Sequence, residues 1–196
     1  MSELKTDFQH FPTRGNRFSR WFGRLGMRVL GGWTLNGEIP DIPKAILPVA
    51  PHTSNWDFFV GLMVKLALGI RVNFLGKHQI FVFPIKGLLK WLGGIPVRRH
   101  SAHGVVGQMV EEFARADKMV LVIAPEGTRS KVTEWKKGFL HIAQQAQVPV
   151  VPIAFCFKNR TINISKPMMV GTDVEAALTE IKAFTNQAVG KRPEFQ

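Results

Sequence analysis

Two short segments of the chain carry residue types that could do chemistry. The first is Pro51-His52-Thr53-Ser54-Asn55-Trp56-Asp57, directly after an apolar run at 44–50. His52 and Asp57 stand five residues apart, and on one continuous helix they would point about 140° apart and never meet. Ser54 followed three residues later by Asp57 resembles a helix-start capping pair. A helix beginning near Ser54 leaves His52 in the loop ahead of it. From there the ring can fold back over the first helical turn towards the Asp57 carboxylate. A carboxylate on one imidazole nitrogen fixes the tautomer and raises the basicity of the other. Such a pair is a general base without a protein nucleophile, suited to removing a proton from a substrate hydroxyl. The plainer arrangement has Asp57 capping the helix and His52 merely packed.

The second segment is Ala124-Pro125-Glu126-Gly127-Thr128-Arg129-Ser130, which follows the most apolar run in the chain, 119–124. In open α/β sheets, ligands gather beyond the carboxyl ends of strands. Gly127 lets backbone approach a ligand closely, and Arg129 offers a planar fork for phosphate. Glu126 can accept a hydrogen bond from a hydroxyl or hold Arg129 in place. The alternative is a polar turn with a surface ion pair, worth at most ~1 kcal/mol.

Two further segments bear on these. Gly93-Gly94-Ile95-Pro96-Val97-Arg98-Arg99 lies in a region without a single acid: from Phe58 to Val110 there are only Lys65, Arg71, Lys77, Lys86, Lys90, Arg98 and Arg99 among charged side chains. An uncompensated positive field near a strand end suits a phosphorylated ligand; a basic solvated surface is the alternative. Val148-Pro149-Val150-Val151-Pro152-Ile153-Ala154 carries no chemistry itself. Its prolines imply an edge strand or a first position, and it could wall an apolar slot for a chain.

The elements that must position these residues alternate. Strands are expected at 44–50, 71–76, 95–98, 119–124, 149–157 and 161–164, with 168–171 following and a short strand possible near residue 34. Helices are expected at 56–70, 84–92, 104–116, 137–147 and 173–189. This alternation predicts an α/β domain with a largely parallel or mixed sheet flanked by helices. The run at 119–124 is continuously apolar, as a strand buried on both faces should be.

The chain of 196 residues is long enough for one ordinary domain with its own core, and its 45% apolar and 20% charged composition is globular. A single cysteine, Cys156, excludes an internal disulfide and a Cys-based zinc site. The 26 Lys and Arg against 14 Asp and Glu leave a net charge of +12, which points to an anionic partner: nucleic acid, a lipid surface or a phosphorylated substrate. No signal peptide and no spanning helix are read from the sequence. Residues 14–30 predict an amphipathic helix ahead of the domain. At 100° per residue, Arg17, Arg20, Arg24 and Arg28 share an arc of about 80°. Phe18, Phe22, Leu25 and Val29 share another of about 60°, with Trp21 near its edge. Aromatics set against an arginine stripe, with no acid between, describe a helix lying in an anionic membrane surface. A helix packed on the domain with its arginines in water is the other reading, and Gly15, Gly23 and Gly26 weaken the helix by up to ~1 kcal/mol each.

Taken together, HTSNWD, GGIPVRR, PEGTRS and VPVVPIA, in this order and spacing across about residues 44–155, resemble the four blocks of the glycerolipid acyltransferases of the lysophosphatidate acyltransferase type. The resemblance implies that His52 is the base activating an acceptor hydroxyl for direct attack on an acyl thioester, and that Asp57 orients and polarises it. It implies Arg99 and Arg129 as ligands of the acceptor phosphate, with Glu126, Gly127 and Thr128 lining the acceptor site. The donor it implies is acyl-CoA or acyl-ACP, with no metal and no bound cofactor, and the acceptor is a lysophospholipid, first of all 1-acyl-sn-glycerol-3-phosphate. Residues 34–196 are then the acyltransferase domain. Residues 1–33 are a membrane-surface segment that holds the protein to the cytoplasmic side of a membrane. The chain departs from the family pattern at Pro96 and Ala124, where an aromatic is usual.

Two rival functions share part of this pattern. A phospholipid–lysophospholipid transacylase would use the same base. A non-enzymatic basic binder of lipid or nucleic acid would need phosphate contacts but no base, and the paired His52 and Asp57 disfavour it. There is no Gly-x-Ser-x-Gly elbow, P-loop or dinucleotide fingerprint. The His100-x-x-His103 spacing lacks a neighbouring acid or cysteine and is not read as a metal site.

Overall fold

The two most apolar runs become the middle of the sheet. Strand β2 (Lys44–Ala50) pairs in parallel with β5 (Met119–Ile123), Ile46 opposite Leu121. Alternate side chains leave opposite faces of a strand. Ala45, Leu47 and Val120 therefore enter one core layer and Ile46, Met119 and Leu121 the other. The computed structural model describes residues 7–97 and 104–196. Among them β1 (Thr34–Asn36), β3 (Asn73–Lys77), β4 (Gly94–Val97), β6 (Ile153–Cys156) and β7 (Thr161–Ile164) complete a seven-stranded sheet. The strand order is β1-β7-β6-β2-β5-β3-β4. All neighbours are parallel except β6 and β7, so the sheet is mixed and largely parallel.

Helices α1 (Arg17–Val29) and α2 (Trp56–Leu68) cover the first face, where Met27, Val60, Ala67 and Leu68 meet the sheet. Helices α4 (Gly104–Arg115), α5 (Gly138–Ala146) and α6 (Val174–Thr185) cover the second through Met109, Phe113, Leu140, Ile142 and Ile181. Short helix α3 (Ile85–Trp91) leads into β4 at the sheet edge. Residues Phe11 and Trp33, on either side of α1, are buried in the first layer. The Asp41 carboxylate accepts the backbone N–H groups of Phe11, Gln9 and His10 at 2.7, 3.0 and 2.9 Å. Those bonds, Phe11's foremost, hold its pKa well below the usual carboxylate range. The N-terminal segment is thus packed into the domain.

Three expectations are revised. The strand expected at 149–157 shortens to β6, which lies inside the sheet between β2 and β7; of the two positions its prolines allowed, the structure takes the strand start and not the edge. Its prolines stand ahead of it and contribute only carbonyls: Pro149 O accepts from Ile46 N at 2.9 Å, and Pro152 O from Ser165 N at 3.0 Å. After β7, only Met168 pairs, in an isolated bridge with Val150. The last helix ends at Thr185 instead of 189, where the Thr185 hydroxyl donates back to Ile181 O, a local bond that competes with further helix.

Helix α1 has three faces, not two. Gly23 and Met27 are buried against α2, while Phe18, Trp21, Phe22, Leu25 and Val29 are exposed. Arg17, Arg24 and Arg28 are exposed. Arg20 is half-buried, and a Cβ on Gly69 would fall 2.4 Å from its Nε. Arg20 therefore sits at the C-terminus of α2, where the helix dipole favours a cation. The expected four-arginine stripe is left with three exposed members.

Candidate active site

The loop between β2 and α2 sets His52 and Asp57 by two short-range bonds. Ser54 Oγ accepts from Trp56 N at 3.1 Å, and Asp57 Oδ2 accepts from Ser54 N at 2.9 Å. This closes the helix start and buries Asp57, which is 4% exposed. His52, upstream of the cap, folds back so that its Nδ1 lies 3.0 Å from Asp57 Oδ2. An ionised carboxylate only accepts hydrogen bonds. Nδ1 is therefore the donor, and in the neutral ring this tautomer leaves the lone pair on Nε2.

The backbone of His52 is held independently of its ring. Its N–H donates to Glu126 Oε2 at 2.8 Å. Burial pushes the Glu126 carboxyl above its usual pKa, partly offset by that bond and by His52 itself. Glu126, expected to line the acceptor site, thus turns to the His52 loop. On the other side Thr53 Oγ1 accepts from Arg192 N at 3.1 Å, so the C-terminal turn also clamps the loop.

His52 and Asp57 line a cavity of about 810 Å³. Leu47, Val49, Leu62, Val64, Phe155 and Ile162, from the sheet and α2, make an apolar part of its wall. Gly127, Thr128 and Arg129 of the loop after β5 line it as well. The structure therefore brings His52, Asp57, Gly127, Thr128 and Arg129 to one cavity. Arg99 lies outside the described residues, as do Arg98, His100 and His103. Among the described residues, no three His, Cys, Asp or Glu side chains converge as a metal site would require.

Lys136, which the sequence reading did not single out, also lines the cavity. Gly127 has φ +68, and a Cβ there would meet Lys136 Nζ and Cε at 2.9 Å. The glycine thus both makes the turn and admits the lysine. Lys136 N donates to Pro125 O at 2.8 Å, fixing the two segments together. No sequence pattern marks Lys136, which stands beside Lys137 ten residues after Glu126.

Lys65 faces the same cavity from α2 and donates to Leu92 O at 2.6 Å. Burial lowers its pKa from 10.5 to about 8, and the nearby Arg14 and Arg71 add repulsion. A cation with a depressed folded pKa weakens the fold below that pKa, and the penalty fades as pH rises from about 8 towards 10.5. Replacing Lys65 by methionine should therefore raise the melting temperature most at pH 7 relative to wild type, by about 2–4 °C after solvent screening. The difference should narrow as pH rises through 8 towards 10.5. A pH-independent difference would show that Lys65 acts only through its bond to Leu92.

An α/β sheet with a carboxylate-held histidine at the end of one strand and a Gly-Thr-Arg loop at the end of its neighbour defines a class. The Acyltransferase family model matches residues 37–156, and the chain belongs to that family. It is 33% identical over 147 residues to the 1-acyl-sn-glycerol-3-phosphate acyltransferase of Cocos nucifera, covering 71% of this chain and 46% of that protein. It is 30% identical over 139 residues to the human 1-acyl-sn-glycerol-3-phosphate acyltransferase beta, covering 67% and 49%. The chain thus spans about half the length of these relatives. The fold is similar to the crystal structure of the 1-acyl-sn-glycerophosphate acyltransferase PlsC of Thermotoga maritima, with a TM-score of 0.63 and 22% identity over 87% of this chain and 76% of that one.

Proposed function

We propose that the protein transfers a fatty acyl group from an acyl thioester to the free hydroxyl of a lysophospholipid, 1-acyl-sn-glycerol-3-phosphate first among them. The observation that carries this reading is His52 Nδ1 held by Asp57 in the lining of a largely apolar cavity that also meets Arg129. His52 Nε2 takes the acceptor hydroxyl's proton as the oxygen attacks the thioester carbonyl. The tetrahedral intermediate collapses with cleavage of the C–S bond, and the departing thiolate takes the proton back from His52. Asp57 holds the tautomer this requires. The apolar wall receives an acyl chain, and Arg129, Lys136 and Arg99 hold the acceptor phosphate. The donor is acyl-CoA or acyl-ACP as co-substrate, and the chemistry needs no metal or bound cofactor. No helix among the described residues is long and apolar enough to cross a membrane. The exposed face of α1, with Arg17, Arg24 and Arg28 beside it, lays the protein on an anionic lipid surface on the cytoplasmic side.

The test is a panel of acceptors offered with one acyl-CoA and one acyl-ACP, read by product mass and by release of free thiol. Lysophosphatidate should be acylated with stoichiometric thiol release, and Arg129→Ala and Lys136→Met should each raise its KM about 10-fold or more, as loss of a charged phosphate contact does. Acyl exchange between phospholipids without thiol release would replace this reading with the transacylase. Salt-sensitive lipid binding with no product of either kind would replace it with a binder.

A further inference from the structure

Among the described residues, large apolar side chains are exposed in three places and almost nowhere else. Of the fifteen that stand out among the described residues, all but Met169 belong to α1, the first turn of α2, or the segment from Ile80 to Trp91. The last group is the densest: Val82, Phe83, Ile85, Leu88 and Trp91 are all more than 40% exposed, and Phe83 is 94% exposed. A soluble monomer rarely leaves such a patch uncovered without a partner for it.

The pattern names the partner. On α3, Ile85, Leu88 and Trp91 fall on one arc, and Lys86 and Lys90 fall on the opposite side, at 100° per residue. Both lysines are exposed, and no acid occurs anywhere from Phe58 to Val110. An apolar ridge flanked by cations and free of acids suits anionic headgroups with acyl chains beneath them. A protein partner of ordinary composition would find no acid to pair with its own cations. The ridge is also joined to α1. Arg14, three residues before it, stacks over the Trp91 ring at 4.7 Å and donates to Trp91 O at 2.7 Å. The Lys65 amine caps the next carbonyl, that of Leu92. Leu92 itself lines the cavity, as does half-exposed Phe58 of α2.

We infer that the segment Ile80–Trp91 is a second lipid-inserting element, which dips Phe83 and the α3 ridge into an anionic bilayer beside α1 and so sets the cavity against the membrane. The inference rests on the proposed function's premise that the acceptor is a membrane lipid, but it is tested without turnover.

The full chain carrying Phe83→Ser and Leu88→Ser is compared with wild type for binding to vesicles of phosphatidylcholine with 30% phosphatidylglycerol. Both positions are exposed, so melting temperature should not move. Vesicle affinity should fall at least ~10-fold, as expected when two large apolar groups no longer leave water. In parallel, Phe83→Cys is labelled with an environment-sensitive fluorophore; the native Cys156 is buried and stays unlabelled. The label should shift to the blue and be quenched by brominated lipid, while one at the Glu180→Cys position on α6 should not. Unchanged affinity together with an unquenched label at 83 would overturn the inference. So would a lipid-free dimer that the double serine variant splits, since the ridge would then cover a second copy. A chain that binds vesicles through residue 83 but makes no product sustains the inference and defeats the proposed function instead.

Discussion

Replacing His52 by alanine is expected to lower kcat for acyl transfer by about 10²–10⁴-fold, the contribution of a positioned general base, equivalent to about 3–5 kcal/mol of barrier. The substitution is clean because the structure separates the ring from the loop. Glu126 holds the His52 N–H, Ser54 and Asp57 close the helix start without the ring, and Thr53 accepts from Arg192. None of these bonds uses the imidazole, so the loop should keep its shape and the melting temperature should stay within a few degrees of wild type. The KM values for donor and acceptor should change little, since the cavity wall and the cations remain. Added imidazole should restore part of the rate by occupying the vacated space. Asp57→Asn separates the two roles of the carboxylate. An amide oxygen can still accept from Ser54 N, but it no longer fixes the tautomer with a charge. Its kcat should fall less than that of His52→Ala, with the helix start intact. Steady-state kinetics with lysophosphatidate decide the matter; a His52→Ala enzyme at wild-type rate would remove the general-base mechanism altogether.

The parts of this site that could be read from the chain were those set by local rules. Strands β2 and β5 are apolar on both faces because both faces are covered, and that leaves a continuous apolar run in the sequence. The return of His52 to Asp57 follows from a capping pair only three residues long, so spacing alone foreshadowed it. Glu126 is different. Its partner, the His52 N–H, is 74 residues away, and no local pattern marks a carboxylate that will accept from a distant backbone. Lys136 was hidden for a similar reason: its meaning comes from the missing side chain of Gly127, one loop away. The prolines of the fourth segment left two positions open, an edge or the start of a strand, and the structure takes the second: Pro149 and Pro152 precede β6. There they face their neighbours with carbonyls, so the strand that follows can lie inside the sheet.

The same lesson gives the largest expected effect on stability, at Gly23. On sequence alone the glycines of α1 are flaws in a helix. In the structure Gly23 is where α1 touches α2. A Cβ at that position would stand 2.2 Å from Ala67 N and 2.7 Å from Met63 O, both α2 backbone atoms. Backbone inside a helix cannot swing aside, so Gly23→Ala must push α1 outwards. Overpacking of this kind costs about 1–3 kcal/mol, and the rigid neighbour places it at the upper end. The better helix propensity of alanine returns about 1 kcal/mol. A net loss of about 2 kcal/mol should lower the melting temperature by about 4–8 °C for a chain of this size. Gly26→Ala is the matched control. Its Cβ would also fall 2.2 Å from a neighbour, but the atoms it meets, Met63 Sδ and then Cγ at 2.7 Å, belong to a flexible side chain that can rotate away. Gly26→Ala should therefore be neutral or slightly stabilising, although propensity gains one residue of helix in both variants. The consequence reaches the active site, because α2 carries Asp57 in its first turn and Ala67 in its last. Gly23→Ala should also reduce acyl transfer modestly, while Gly26→Ala leaves it unchanged. Equal melting temperatures for the two variants would mean that α1 is not seated on α2 through Gly23.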